Sequence, residues 1–236
     1  MENDYDVIIV GAGVIGSAML YTLANHTKIK RILLIEKYAA PAQLNSNSRS
    51  NSQTLHMGDI ETNYSARKIA ETKAASEMIL KYVGGLEKRE REKIISKCGK
   101  MLLGVGADEA EFIKKRYDTV LKKTFPGLKQ LERGGIAKLE PYVVEERDPS
   151  DELFGIYSES GYMVDYGALS NSFIKHSRPT SGRRIDVSFK NELKKAERTK
   201  DGFKITTTKG IYRTSCIVFA SGNHTPIHSP IIPQLS

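Results

Sequence analysis

The stretch DVIIVGAGVIGSAMLYTLANHTKIKRILLIE, Asp6 to Glu36, decides the fold. Residues 6–10 are a short apolar run that enters Gly11, Ala12 and Gly13, and residues 14–25 carry small and apolar side chains at helical spacing up to Leu23 and Ala24. The order is strand, tight turn, helix. Residues 31–35 form a second β-rich run that ends on an acid, so the segment reads as a βαβ unit with a right-handed crossover. Gly11, Gly13 and Gly16 give the pattern G-x-G-x-x-G between that strand and that helix. The first glycine allows the turn, the second lets the backbone approach a pyrophosphate, and the third lets the helix pack on the strand. The helix N-terminus adds unpaired N–H groups and a partial positive charge. Glu36 follows 20 residues after Gly16, where a carboxylate accepts the hydroxyls of an adenosine ribose and repels the 2′-phosphate of NADP. These residues leave NAD and FAD equally open.

Outward from this unit the regular alternation stops. Residues 43–51 are polar and rich in Asn and Ser. The spacing then predicts a helix over 66–82 with Ile69, Ala70, Ala74, Met78 and Tyr82 on one face, a charged segment at 87–93, and a strand over 98–105. Asp108 is placed to cap a helix over 109–125, stopped by Pro126 and Gly127, and 136–139 reads as a short helical turn. Two short strands are expected at 153–157 and 161–164, and Asp165 is placed to cap a helix over 166–176. The last third reads as short strands at 185–189, 193–198, 203–208 and 211–213, joined by the hairpin signals Asp201-Gly202 and Lys209-Gly210. A buried strand over 215–220 runs into Ser221 and Gly222.

With 236 residues, 39% hydrophobic and 27% charged, the chain has material for a core and is not of disordered composition. Its apolar runs are strand-sized, well short of the roughly 20 residues of a spanning helix. The acidic N-terminus leads directly into the glycine motif, which argues against a secretory signal and for a cytoplasmic protein. Cys98 and Cys216 lack metal-ligand spacing and are expected to be reduced thiols in or near the core. A net charge of +8 suits an anionic partner such as a membrane surface, although much of the excess lies on mixed-charge helix faces. No nucleic-acid motif accompanies it, so nucleic acid is not an expected partner.

The interruption after Glu36, the late strands and the closing strand CIVFASG, Cys216 to Gly222, resemble the split architecture of FAD-dependent oxidoreductases. In that family a late strand ending in Ala-Ser/Thr-Gly returns beside the first, which here implicates Ala220, Ser221 and Gly222. The segment NSQTLHMGDIETNY, Asn51 to Tyr64, resembles the same region of malate:quinone oxidoreductases of the divergent bacterial type. Its Asn51-Ser52, His56 and Gly58 spacing is also similar to L-2-hydroxyglutarate dehydrogenases and oxidases, and both groups belong to the D-amino-acid-oxidase-like superfamily. MLLGVG from Met101, EAEFIKKRY from Glu109 and LEPYV from Leu139 favour the malate:quinone group.

The resemblance implies an α/β fold: a Rossmann-type FAD-binding domain formed by 1–65 and 160–223, with part of an inserted α+β substrate domain at 66–159. The C-terminus is expected to be incomplete against the longer family members, with 224–236 an irregular tail. It implies FAD as cofactor, held by Gly11, Gly13, Gly16, Glu36, Lys37, Asn51, Ser52, Gln53, Thr54, Leu193, Ala220, Ser221 and Gly222. The implied activity is oxidation of a 2-hydroxy acid, (S)-malate to oxaloacetate, with electrons passed to a membrane quinone at the cytoplasmic face. L-2-hydroxyglutarate oxidation and a non-catalytic, nucleotide-binding remnant are the alternatives. His56 is the candidate base, since a neutral imidazole accepts a hydroxyl proton. A structural hydrogen-bonding role is weighed equally for it. Arg49 and Arg67 are carboxylate-clamp candidates for which surface or phosphate-side roles are favoured.

Overall fold

The computed structural model describes residues 4–177 and 182–222, so the expected tail at 224–236 lies outside it. The chain forms two compact units, one built up to Gln53 and from Asp165 onward, the other from Thr54–Val164. The boundary read from the sequence at 159/160 falls inside a continuous strand, and the division comes at the end of that strand.

The first unit opens with β1 (Asp4–Val10), α1 (Val14–His26) and β2 (Arg31–Ile35), the anticipated βαβ element. β1 and β2 pair in parallel from Val7 with Ile32 to Val10 with Ile35. Side chains alternate across the sheet. Val7, Ile9, Ile32 and Leu34 pack with Leu20 of α1, whereas Ile8, Val10, Leu33 and Ile35 join Leu193, Ala196 and Ile205 on the opposite face. Both faces are covered, which is why these strands read as unbroken apolar runs. Leu20 is fully buried, and its truncation to alanine costs about 2–5 kcal/mol.

The second unit contains α2 (Ala66–Gly84), α3 (Lys88–Ile94), β3 (Ile95–Val105), α4 (Ala107–Arg116), α5 (Lys122–Thr124), β4 (Lys129–Glu132), α6 (Arg133–Leu139) and β5 (Leu153–Val164). β5 lies between β3 and β4 in an antiparallel sheet. Several sequence expectations need correction here. The two short strands at 153–157 and 161–164 are the single strand β5, because β3 pairs along its whole length and takes up the irregularity as a bulge between Cys98 and Lys100. The buried face of α2 is Ile69, Ser76 and Val83, while Met78 is 73% exposed and Ala70 and Ala74 are also exposed. Ile69 sets that phase by packing into the cluster of Ala110, Ile113, Tyr117, Leu121, Phe154 and Ile156. The buried Ser76 hydroxyl donates to Lys73 O at 2.8 Å, so its burial leaves no hydroxyl donor unpaired.

The helix expected over 109–125 begins instead after Gly106 and passes through a π-helical turn at Tyr117–Leu121. Asp108 sits in its first turn and is not the cap residue, while Glu109 accepts the Val105 amide proton at 2.9 Å. β4 escaped the sequence pattern because KQLE is polar and largely exposed; pairing with β5 holds it.

Returning to the first unit, Asp165 caps α7 (Tyr166–His176) as expected, accepting the Ala168 amide proton at 2.8 Å. β6 (Arg184–Ser188) is not part of a hairpin series, since it pairs in parallel with β2. The meander proper is β7 (Leu193–Thr199), β8 (Gly202–Thr207) and β9 (Gly210–Phe219). β9 is one strand where two were expected, because Thr214 is buried between partners on both sides, Phe203 in β8 and Tyr5 in β1. β9 lies parallel to β1, with Ile8 beside Ile217 and Val10 beside Phe219, giving the order β6-β2-β1-β9-β8-β7. Its final stretch is less buried than expected, and Cys216 is exposed. Among the described residues, no helix is long and apolar enough to cross a membrane.

Candidate cofactor site

The ends of β1, β2 and β9 and the turn into α1 enclose a cavity of about 680 Å³. It opens at the carboxyl ends of the parallel strands, where open α/β sheets bind ligands. Its walls belong entirely to the first unit.

Gly11 and Gly16 build the turn. Gly11 has φ +104°, and a Cβ there would lie 2.6 Å from Ala220 O, so the turn is closed against the end of β9 only because the side chain is absent. A Cβ at Gly16 would fall on the Gly11 carbonyl oxygen. Gly16 therefore packs the first turn of α1 onto the loop and does not line the cavity. The Gly11 amide donates to Ile35 O at 2.8 Å and the Ala220 amide to Val10 O at 2.8 Å, which locks the three strand ends together.

Gly13 lines the cavity as the N-cap of α1, which carries no acidic side chain in its first turn to compete with an anion. The Val14 amide donates to Ser46 Oγ at 3.0 Å, so a hydroxyl from the Asn/Ser stretch meets the helix start. Glu36 is 9% exposed. Its Oε2 accepts the Ala12 amide proton at 2.7 Å and its Oε1 the Tyr38 amide proton at 2.9 Å. A carboxylate has about four acceptor positions, so this fixed group retains capacity for a diol.

Lys37, Asn51, Leu193, Ala220, Ser221 and Gly222 also line the cavity, so most of the residues singled out from the sequence converge on one site. Asn51 does so while stitching its own loop, its amide nitrogen donating to Asn45 O at 3.0 Å and Asn47 O at 2.8 Å. Ser52, Gln53 and Thr54 do not line it. Gln53 adopts φ +53° and receives support from Asn51 Oδ1 at 2.8 Å, whereas Thr54 forms an isolated bridge with Met163 in the second unit. His56 also belongs to the second unit. Its Nδ1 lies 2.7 Å from Glu61 Oε1, with the imidazole 57% exposed. Arg67 is on the surface, paired with Glu71 one helical turn on at 2.8 Å, and Arg49 is exposed.

Sequence reasoning missed Ala42, Ser46, Tyr166 and Asn191, all of which line the cavity. Ala42 itself has φ +58°, and Lys190, next to Asn191 in sequence, has φ +52°, both uncommon backbone conformations. Burial holds the Tyr166 phenol above its ordinary value. Only the polarity of residues 43–51 hinted at Ser46, because its partner lies 32 positions away in sequence.

A family model described as malate:quinone oxidoreductase matches residues 3–220. A relative from Campylobacter jejuni, described as a probable malate:quinone oxidoreductase, is 36% identical over 231 residues, covering 94% of this chain and 51% of its own length. Glycine oxidase from Geobacillus kaustophilus superposes with a TM-score of 0.76 at 18% identity, covering 97% of this chain and 58% of that one. L-α-glycerophosphate oxidase from Mycoplasma pneumoniae, solved with FAD bound, gives 0.65 at 21% identity, with 97% and 56% covered. The chain spans about half the length of the curated relatives it matches. The match over residues 3–220 makes this chain a member of the malate:quinone oxidoreductase family.

Proposed function

We propose that the first unit binds FAD and that the protein oxidises (S)-malate to oxaloacetate, passing the electrons to a membrane quinone. The observation that carries this reading is the convergence of a bare glycine turn, a helix N-terminus and the fixed Glu36 carboxylate on one cavity in a chain of this family. Gly11, Gly13 and the start of α1 are the pyrophosphate contacts, with Gly16 packing the turn behind them. Glu36 takes the ribose hydroxyls, with Lys37 and Leu193 beside it. Asn51, Ala220, Ser221 and Gly222 complete the lining. Ser52, Gln53 and Thr54 are assigned to cofactor beyond this cavity. When bound, the flavin supplies the two-electron acceptor.

His56 is assigned as the base that takes the hydroxyl proton of the 2-hydroxy acid, and the second unit as part of the substrate domain. Its exposed imidazole suits the role, since a base must reach solvent-borne substrate. Quinones reside in the bilayer, so the reading includes peripheral contact at the cytoplasmic face, to which the charge of +8 lends support on anionic lipid.

The test is to purify the chain, record its flavin spectrum and add (S)-malate without oxygen. Bleaching by malate supports the reading. Bleaching by L-2-hydroxyglutarate alone transfers it to the cousin activity, and a yellow chain inert to both is a nucleotide-binding protein without this chemistry.

A further inference from the structure

We propose that Glu61 is the positioning residue for His56, holding its imidazole as the Nδ1–H tautomer so that Nε2 is the basic nitrogen. The proposal rests on the reading of His56 as the base. His56 Nδ1 and Glu61 Oε1 are 2.7 Å apart. An ionised carboxylate only accepts, so in the neutral ring the proton of this contact sits on Nδ1 and leaves the lone pair on Nε2. The two partners differ in exposure in the sense this arrangement needs: the imidazole is 57% exposed, the carboxylate 10%.

Glu61 is itself fixed from several directions. Its Oε2 accepts the Ile60 amide proton at 3.3 Å. Its carbonyl oxygen accepts from Arg116 Nε at 3.1 Å and Nη2 at 2.6 Å, and the same Nη2 donates to Tyr64 O at 2.7 Å. On the other side of His56, the Leu55 amide donates to Tyr162 O at 2.9 Å, and Thr54 bridges to Met163. Between them Asp59 pairs with Lys100 in the interior. The main chain on both sides of the pair is thus held, by the Arg116 fork at Glu61 and Tyr64 and by the pairing of Thr54 and Leu55 with Met163 and Tyr162. The arrangement has the logic of a base oriented by a carboxylate.

The O–H bond of the 2-hydroxy acid breaks and its proton goes to Nε2. The O–H electron pair would become the new carbonyl π bond as the α-hydrogen leaves carbon with its electron pair, the two-electron acceptor being the flavin that the first unit would hold. The imidazolium so formed is stabilised by Glu61 on its other nitrogen. A 2-oxo acid results.

The experiment is NMR on the 236-residue chain labelled with 15N-histidine. The chain has five histidines, and the His56 signals are identified by their loss in His56→Asn. With the ring neutral, the expected result is protonated Nδ1 and unprotonated Nε2. Glu61→Ala should move His56 toward the Nε2–H form that free imidazole side chains prefer, while Glu61→Gln, which still offers an acceptor oxygen, should keep Nδ1–H. Anaerobic flavin reduction by malate should slow roughly 100-fold in Glu61→Ala, the range of general-base contributions, with malate affinity little changed. An Nε2–H tautomer in the unaltered chain, or one that Glu61→Ala leaves unmoved, overturns the pairing. A His56→Asn chain reduced by malate at the original rate overturns the base reading separately, and the tautomer data then show which of the two failed.

Discussion

Glu36 Oε2 accepts the Ala12 amide proton at 2.7 Å, joining the end of the second strand to the glycine turn after the first. One carboxylate thus both shapes the turn and lines the cavity. Glu36→Ala is expected to weaken FAD binding roughly 10- to 100-fold, the loss of about one charge-assisted hydrogen bond. It should also lower stability, because the Ala12 and Tyr38 amides lose their acceptor. Fluorescence titration with FAD, alongside urea unfolding, separates the two effects, and Glu36→Gln should keep more stability than affinity.

Gly16→Ala tests the turn from a position that does not itself line the cavity. A methyl there meets the Gly11 carbonyl, backbone that cannot swing aside. The expected cost is at least about 3 kcal/mol, at the upper end of overpacking effects, read as a fall in urea midpoint or failure to accumulate folded. Gly84→Ala, with open space around it, should be near neutral or stabilising in the same assay.

Lys100 and Asp59 form a buried pair, 8% and 3% exposed, at 2.5 Å but outside hydrogen-bond geometry. Lys100→Met alone should destabilise the chain by about 3–5 kcal/mol, since it strands a buried carboxylate. Adding Asp59→Leu should recover much of that loss. A double-mutant cycle in urea reads the coupling directly.

Asp6 supplies the acid-sensitive prediction. Burial raises its carboxyl, but the Arg31 side chain and the amides of Arg31 and Lys30 outweigh this and set it below the ordinary value. A group depressed in the folded state contributes stability above its unfolded pKa, about 3.9, and loses it as pH falls through the folded value. The stability gap between the unaltered chain and Asp6→Asn should therefore be full at pH 6 and shrink below about pH 4.

The sequence was most readable where chemistry is local. Gly11, Gly13 and Gly16 announced a tight turn into a helix, and Asp165 announced the helix it caps, because strand, turn and helix there follow one another directly in sequence. It was least readable where a distant partner decides. Thr214 does not break a strand because Phe203 and Tyr5 flank it, and Lys129–Glu132 is a strand only beside β5. The phase of α2 was misread because alanines and Met78 looked apolar, while Ile69 chose the buried side. Ser46 and Asn191 reached the cavity through loop geometry that no spacing encodes. Glu61 lay in plain view five residues after His56, but only the fold of 54–64 brings the two side chains together.

The central claim is that the first unit is built for FAD. Equilibrium titration of the purified chain with FAD, FMN and NAD, following flavin or protein fluorescence, tests it most directly. Saturable FAD binding that Glu36→Ala weakens, with FMN and NAD much weaker, is the expected result. No FAD binding by a chain shown to be folded, or NAD bound in preference, would contradict it.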